Sequence, residues 1–288
     1  MVGLTIISPS AYAQENVSVH PAWSSDGQSI LYLERFDGGA QIRQVSSDGR
    51  HATTVVANAG GGANPSLSPD RRFVAFVTQG EESGWSISIV DLKTKERRDL
   101  AAGETMIMHP QWSPDGRHIS FIRPIEGQWD IFLVDPSDGT TNRVTHTDDR
   151  SEFHPKWSAD GSKLIFDRNG PTEDGGTCYQ IAETHVATGT TSVLLTVEGS
   201  ARVGAPSFAP DGSAIVFSTS QGERDGIWKL DLGSGETTLL RSRGEGRGVG
   251  GPVYSPDGSQ IAFHAHIDGW FEIVVMHADG SEELLLTS

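Results

Sequence analysis

A histidine or an asparagine stands directly before a proline at four well-separated points in the chain: His20, Asn64, His109 and His154. Neutral imidazole is a common nitrogen ligand for zinc and related ions. If the fold brings His20, His109 and His154 together, with Asn64 beside them, they predict a site for a divalent metal ion such as zinc, manganese or calcium. A histidine there could also act as a general base on a bound substrate.

The residues before these prolines could also have a purely structural role. A residue before proline is restricted to extended backbone, so a polar side chain there would cap a strand or contact water. A position of this kind is also copied whenever a repeat is duplicated, whatever its use. Both interpretations of the three histidines stay open on the sequence.

A second histidine pair lies in the segment His264-Ala265-His266. Alternation along a strand places both rings on one side, where a two-residue spacing can chelate a metal. No third ligand is evident for this pair, and the alternative is a partly exposed strand end.

Charged residues form the third candidate group. Those predicted to contact a ligand are Arg150, Glu152, Arg202, Arg243 and Arg247. Arginine pairs with carboxylates through two parallel hydrogen bonds, which suits a peptide or a charged sugar. The alternative is a solvated rim of mixed charge that contributes little.

All these residues lie in six copies of one repeated unit. The copies begin with the same pattern at positions 20, 64, 109, 154, 205 and 251: HPAWSSDG, NPSLSPDR, HPQWSPDG, HPKWSADG, APSFAPDG and GPVYSPDG. Successive copies are 44, 45, 45, 51 and 46 residues apart, the length of a four-stranded propeller blade. Each copy continues with an apolar strand, a loop, a second strand, a Gly-containing turn and a weaker last strand.

The sequence therefore predicts an all-β protein, a six-bladed β-propeller with four antiparallel strands per blade, formed by residues 14–288 as one domain. The first strand of each blade should line the central tunnel, which would gather the pre-proline residues in a ring at the tunnel mouth. The ring-bearing residues of the repeats should fill the gaps between blades. Asp70 is followed by Arg71 where the other copies have glycine, so the second blade should use a different turn.

The Pro-x-aromatic-Ser-Pro-Asp-Gly unit with its Ile-x-Phe strand resembles the β-propeller repeat of the TolB family, from about His20 to the end of the chain. This family includes the periplasmic component of the Tol envelope system, and the resemblance implies docking of the peptidoglycan-associated lipoprotein. The same repeat occurs in prolyl peptidases and in polysaccharide lyases with a histidine-bound metal. We expect neither a full-length TolB, whose N-terminal α/β domain has no room here, nor an oligopeptidase, since no Gly-x-Ser-x-Gly motif follows the repeats.

Composition limits the choice of partners. The formal net charge is -16 and no basic run occurs, which argues against nucleic acid. No apolar run is long enough for membrane insertion.

Residues 1–13 end in Ala11-Tyr12-Ala13, a pattern typical of a signal-peptidase site, so they are expected to be a signal-peptide remnant of a periplasmic or secreted protein. The single cysteine, Cys178, excludes an internal disulfide and is expected to be buried.

Two functions remain from the sequence, besides a purely structural scaffold. The first is an exported binding module that holds an envelope protein, a peptide or a glycan through the loops and the tunnel mouth. The alternative is a metal-assisted polysaccharide lyase or hydrolase with its histidines at the tunnel mouth. No nucleophile motif is present, so an enzyme is the less favoured of the two.

Overall fold

The computed structural model describes residues 17–37, 39–60, 64–80, 84–103, 105–197, 201–220, 225–242 and 248–287. The predicted signal-peptide remnant lies outside these residues. The described chain forms six four-stranded antiparallel sheets, as the repeats predicted, and contains no helix. It therefore has no helix that could span a membrane.

Within every blade the four strands pair in chain order. The first blade consists of β1 Val17–Trp23, β2 Ser29–Phe36, β3 Gly39–Ser46 and β4 Ala52–Val56. The second consists of β5 Ser66–Leu67, β6 Phe73–Gly80, β7 Gly84–Asp91 and β8 Arg97–Gly103. The third consists of β9 Met108–Trp112, β10 Ile119–Ile125, β11 Gln128–Val134 and β12 Thr141–Arg143.

The other three blades repeat this order. The fourth consists of β13 Ser151–Trp157, β14 Lys163–Pro171, β15 Thr177–His185 and β16 Thr191–Val197. The fifth consists of β17 Arg202–Phe208, β18 Ala214–Ser220, β19 Gly226–Asp231 and β20 Thr237–Ser242. The sixth consists of β21 Val249–Tyr254, β22 Gln260–Ile267, β23 Trp270–His277 and β24 Leu284–Leu285.

The core lies between blades rather than within any one of them. Six apolar clusters each combine residues of two neighbouring blades, because a twisted sheet buries both faces only when sheets flank it. The predicted interblade role of the repeat aromatics is confirmed. Trp157, for example, packs with Ile122 of the third blade and Phe166 of the fourth.

The ring closes without exchange of a strand between the last and first blades. β1 to β4 form one sheet and β21 to β24 another. Ile30 and Tyr32 of the first blade pack with Ile273 of the sixth. The Trp23 indole N–H donates to the carbonyl oxygen of Val253 at 3.2 Å, so one hydrogen bond supports the apolar contact at this seam.

The turns after the first strands share one design. In the fourth blade the Ser158 hydroxyl donates to Asp160 at 2.6 Å, and the same carboxylate accepts the Ser162 backbone N–H at 3.0 Å. The predicted exception at Arg71 is wrong. Arg71 has a φ of 60°, close to the 71° of Gly161, so it adopts the same turn. Its guanidinium pairs with Asp26 of the first blade, which offsets the strain of a side chain in this region.

The pre-proline residues are not extended, which corrects the expectation from proline sterics. All six have φ between 49° and 65°. In five blades the register of the first strand shifts at this point, as between Phe153 and Lys156. The shift is a β-bulge, in which an extra residue turns left-handed so that the strand regains its pairing. The bulge therefore determines where the side chain before each repeat proline points.

Candidate functional site

The six pre-proline residues line one small cavity on the propeller axis. The cavity has a volume of about 40 Å³ and is lined by His20, Asn64, His109, His154, Ala205 and Gly251, with four of the repeat prolines and two further residues, Gln111 and Lys156. We call it the waist cavity. His20, His154 and Ala205 are each the fourth residue of a seven-residue strand. The ring therefore lies at mid-depth in the tunnel and not at its mouth.

His109 and His154 are the two histidines in closest contact. Their ring centroids are 4.2 Å apart. The Asn64 amide nitrogen donates to His109 Nδ1, which assigns the proton of a neutral His109 to Nε2. Asn64 and His109 are both buried, with 5% and 7% of their surface exposed. Asn64 thus orients His109 through a contact between neighbouring blades.

His154 is oriented by a carboxylate that the sequence interpretation did not include. His154 Nδ1 donates to Asp167 Oδ1 at 2.8 Å, and the same oxygen accepts the backbone N–H of Ala205 at 3.0 Å. Asp167 is 7% exposed. This pair leaves His154 Nε2 for a ligand or water, which is the arrangement that a general base requires.

On the other side of the ring, His20 meets a histidine of the sixth blade. The rings of His20 and His264 are 5.9 Å apart in an edge-to-face arrangement. His264 and His266 both contact Phe271, so the two rings lie on the same side of β22. His264 Nδ1 is buried and has no hydrogen-bond partner among the described residues.

Burial in the tunnel favours the neutral form of His20, His109 and His264. Burial lowers the pKa of His20 and of His109 well below the ordinary value, with the positive charge of neighbouring histidines as a further cause. Burial also lowers the pKa of His264 to about 4. Neutral rings both accept and donate hydrogen bonds, so the waist cavity suits a polar neutral group or a water cluster.

Across the ranges that the structure covers, no three His, Cys, Asp or Glu side chains are grouped so that they could hold a metal ion. Asn64 and Asp167 already occupy one nitrogen each of His109 and His154. A metal at His20, His109 and His154 stays a prediction for chemical analysis.

Glu152 is placed differently from the sequence prediction. It is the second residue of β13 and is fully buried, with 0% exposure, so it is not available to a ligand at the surface. Its carboxyl accepts hydrogen bonds from Thr145 and, at 3.3 Å, from Thr147. Burial raises the pKa of Glu152 to about 7, with the Asp130 carboxylate adding to the rise. Strand alternation turns this side chain into the gap between blades.

Arginines gather at the end of the propeller where the first strands begin, which we call the loop face. Arg150 precedes β13, Arg168 lies in β14 and Arg202 begins β17. Burial, and then the charge of Arg150, lowers the pKa of Arg168. Arg202 lies 5.7 Å from the Tyr179 ring, and its buried Nε has no partner among the described residues. We call these three residues the arginine cluster.

Hydrogen bonds hold this cluster in place. Arg150 Nη1 donates to Cys178 Sγ at 3.2 Å, and Arg168 Nε donates to Gln180 Oε1 at 2.9 Å. Cys178 is buried, as expected. The exposed Asp149 carboxylate lies 3.8 Å from Arg150 Nε. The predicted binding residues Arg243 and Arg247 lie outside the described residues.

The comparisons with known proteins point to one family. The family model described as the TolB beta propeller domain matches residues 10–247. The Tol-Pal system protein TolB of Alcanivorax borkumensis is 31% identical over 101 residues, which is 34% of this chain and 23% of that protein. The chain thus matches about a quarter of the length of this relative.

Solved structures share the architecture at low sequence identity. TolB from Acinetobacter baumannii superposes with a TM-score of 0.72 at 18% identity, covering 98% of this chain and 68% of that chain. An oligogalacturonate lyase in complex with manganese superposes with a TM-score of 0.63 at 19% identity, covering 88% of this chain and 75% of that chain. At these identities the likeness shows the fold alone.

Proposed function

The chain belongs to the TolB β-propeller domain family, and from this premise we propose that it is an exported binding module for an envelope protein or peptide. It acts in the periplasm or after secretion and contacts its partner through the loop face. A protein relative named for the Tol-Pal system supports a protein partner. The partner contributes an acidic segment.

The arginine cluster is the observation that carries this proposal. The Arg150 guanidinium is close enough to Arg168 to lower its pKa, and Arg202 packs over the Tyr179 ring on the adjacent strand, in a chain whose formal net charge is -16. Their nearest carboxylates do little to neutralise them, because Asp149 is 3.8 Å away and exposed, and the raised pKa of Glu152 favours its neutral form. Arginine pairs best with carboxylates, so an acidic surface is the complementary partner.

Binding to purified peptidoglycan-associated lipoprotein tests the proposal. We expect the double variant Arg150→Glu, Arg202→Glu to weaken binding at least about 10-fold, since each close charge pair contributes on the order of 1.5 kcal/mol or more. The matched control is Arg98→Glu, an exposed arginine in β8 of the second blade. Equal affinities of the wild type and the double variant would contradict a role for the cluster.

Cellular location is tested separately. Fractionation of cells that express the tagged full chain should place the protein in the periplasm or the medium. Recovery from the cytoplasm alone would contradict export, whatever the outcome of the binding experiment.

The alternative is a metal-assisted enzyme acting on a polysaccharide. The His154–Asp167 pair supports it, since an aspartate that holds an imidazole is a common feature of catalytic bases. The fold shared with an oligogalacturonate lyase is a further analogy. Metal analysis of the purified protein, with His20, His109 and His154 intact or all changed to Ala, separates the two functions. An absence of bound metal, together with unchanged melting on addition of Mn²⁺ or Zn²⁺, would contradict this enzyme.

A further inference from the structure

The other end of the propeller holds a wide opening that neither proposed function uses. The Ser-Asp turns surround it, and its volume is about 430 Å³, within the range of pockets for small ligands. We call it the funnel. Its wall carries the last residues of the first strands in five blades, which are Trp23, Trp112, Trp157, Phe208 and Tyr254.

Lys156 is the one charged side chain among the residues that line the funnel. It lies on the same strand as His154, two residues further along, and it also lines the waist cavity. Gln111 likewise borders both spaces, and Lys156 Nζ donates to Gln111 Oε1 at 3.0 Å. The two side chains therefore form the floor of the funnel.

No carboxylate that lines the funnel offsets this charge. The acidic residues closest in sequence to the funnel lining are the aspartates of the turns after the first strands. Each of them accepts hydrogen bonds within its own turn. Asp160 accepts from Ser158 and Ser162, and Asp115 accepts from Ser113 and from the Arg117 backbone. Burial lowers the pKa of Lys156 to about 8, as expected for an ammonium group without a counter-ion.

One polar group on the funnel wall is also without a partner. The indole N–H groups of Trp23 and Trp157 donate to the backbone of the neighbouring blade, at 3.2 Å and 3.1 Å. The corresponding Nε1 of Trp112 is buried and has no acceptor among the described residues. The lining of the funnel thus offers one cation, Lys156, in a wall that is otherwise uncharged, with the unpaired Trp112 N–H buried behind it.

We propose that the funnel binds an apolar ligand that ends in a single carboxylate, with the carboxylate on Lys156 beside Gln111 and the apolar body among the aromatic rings. One positive charge matches one negative charge, and the rings suit an aromatic or aliphatic body. A small free acid and the C-terminal residue of a peptide share this chemistry. The site is independent of the loop face, so it stands whether or not the arginine cluster binds a partner.

The test uses two acids and their uncharged counterparts. The acids are 2-naphthoate, which represents a free acid, and N-acetyl-L-phenylalanine, which represents a peptide C-terminus. The controls are 2-naphthamide and N-acetyl-L-phenylalaninamide. Calorimetry and the fluorescence of the funnel tryptophans report binding. We expect at least one acid to bind at least about 10-fold more tightly than its amide, because a hydrogen bond to a charged group carries this discrimination.

Variants identify the lysine as the cause. Lys156→Met should lose at least about 10-fold in affinity for that acid, and Lys156→Arg should retain binding within a few fold. The matched control is Lys163→Met, a lysine of the same blade that pairs with Glu183 outside the funnel. A single cooperative melting transition, at or above the wild-type temperature for Lys156→Met, shows that each variant folds.

The binding results either assign the class of ligand or overturn the proposal. Binding of both acids supports a general carboxylate site. Binding of naphthoate alone assigns a free acid, and binding of the acetylated amino acid alone assigns a peptide C-terminus. If neither acid binds, if the amides bind equally well, or if Lys156→Met binds as the wild type does, the proposal is overturned.

Discussion

His154 and Asp167 form a hydrogen bond of 2.8 Å inside the tunnel, and the same aspartate oxygen accepts the Ala205 backbone N–H of the next blade. One buried carboxylate therefore orients an imidazole and joins the fourth blade to the fifth. A buried backbone N–H without a partner is costly, so this contact is structural as well as chemical.

The first prediction concerns this aspartate. Asp167→Ala should lower the free energy of unfolding by about 1 to 3 kcal/mol, because it leaves the Ala205 N–H and the imidazole without an acceptor. Asp167→Asn should cost less than half as much, since its amide oxygen can accept both bonds. Urea denaturation measures both values. The control is Glu173→Ala, which removes an exposed carboxylate in the loop between β14 and β15 and should cost less than about 0.5 kcal/mol. Equal costs for the three variants would show that Asp167 has no such role.

The second prediction concerns Glu152. Its pKa is raised to about 7 by burial, and the neighbouring Asp130 carboxyl also has a raised pKa. Between about pH 4.5 and 7 the folded protein keeps a proton that the unfolded chain has released, so its stability falls as the pH rises through this window. The loss from Glu152 should amount to about 3 kcal/mol.

Glu152→Gln should remove most of this slope, since the amide stays neutral at every pH. Denaturation at several pH values, with the exposed Glu96→Gln as the control, measures the slope. Arg168 and Arg143 lie near the two carboxyls but stay charged throughout the window. Parallel stability curves for the wild type and Glu152→Gln would contradict the prediction.

The third prediction is that Lys156→Met stabilises the protein. The pKa of Lys156 is about 8 in the folded protein, below the unfolded value of about 10.4, so the folded state disfavours the charge. The free-energy cost of the charged Lys156 in the folded protein is fully present below about pH 8, and it is relieved as the pH rises towards 10. The shift corresponds to about 3 kcal/mol, and because Lys156 is partly exposed and its hydrogen bond to Gln111 is lost, the variant should gain about 2 kcal/mol at neutral pH.

Thermal denaturation at neutral and alkaline pH checks this result. The advantage of Lys156→Met should shrink towards alkaline pH, whereas Lys163→Met should show no such trend. A destabilised Lys156→Met protein would mean that the lysine has a counter-ion. A gain of stability with a loss of acid binding would identify Lys156 as a residue kept for its ligand.

The fourth prediction concerns the bulges. Ala205 has a φ of 49°, a conformation that costs an alanine about 1 to 2 kcal/mol. Ala205→Gly should therefore stabilise the protein by roughly 0.5 kcal/mol after the entropy cost of glycine. Ala262→Gly, in the buried strand β22, should destabilise it instead. Chemical denaturation measures both, and a loss of stability in both variants would contradict the strain at Ala205.

The fold could be predicted from the sequence because each of the six copies carries its own turn and strand signals. Asp-Gly and the following apolar run determine the same local structure wherever they occur. Arg71 shows the limit of this local reasoning. Its turn is imposed by Ser68 and Asp70, which make the same contacts as in the other blades, so the glycine is dispensable there.

The site was predicted less completely, for two physical reasons. The pre-proline residues were expected to be extended, and the bulge that redirects them depends on pairing with the second strand. The other reason concerns the position seven residues after the turn aspartate, which is apolar in the first three blades but polar in the other three, as Asp167, Ser218 and His264. This change was visible in the sequence, and it identifies Asp167 and His264 as neighbours of the histidine ring.

Glu152 was expected to contact a ligand and is buried instead, whereas Lys156, for which no role was predicted, lines both spaces on the axis. Both lie on β13, where the bulge between Phe153 and Lys156 puts the two side chains on opposite sides, Glu152 in the gap between blades and Lys156 on the axis. The sequence shows a loop rich in charge before this strand and does not show where the strand begins. An error of a few residues in that boundary decides whether a carboxylate meets solvent or protein.

The left-handed bulge keeps one backbone shape while accepting histidine, asparagine, alanine and glycine. Evolution can therefore exchange the side chains at these six positions without changing the backbone of the propeller. Protein design has the same freedom. Substitutions at these six positions, made one blade at a time, would change which ligands the waist cavity accepts.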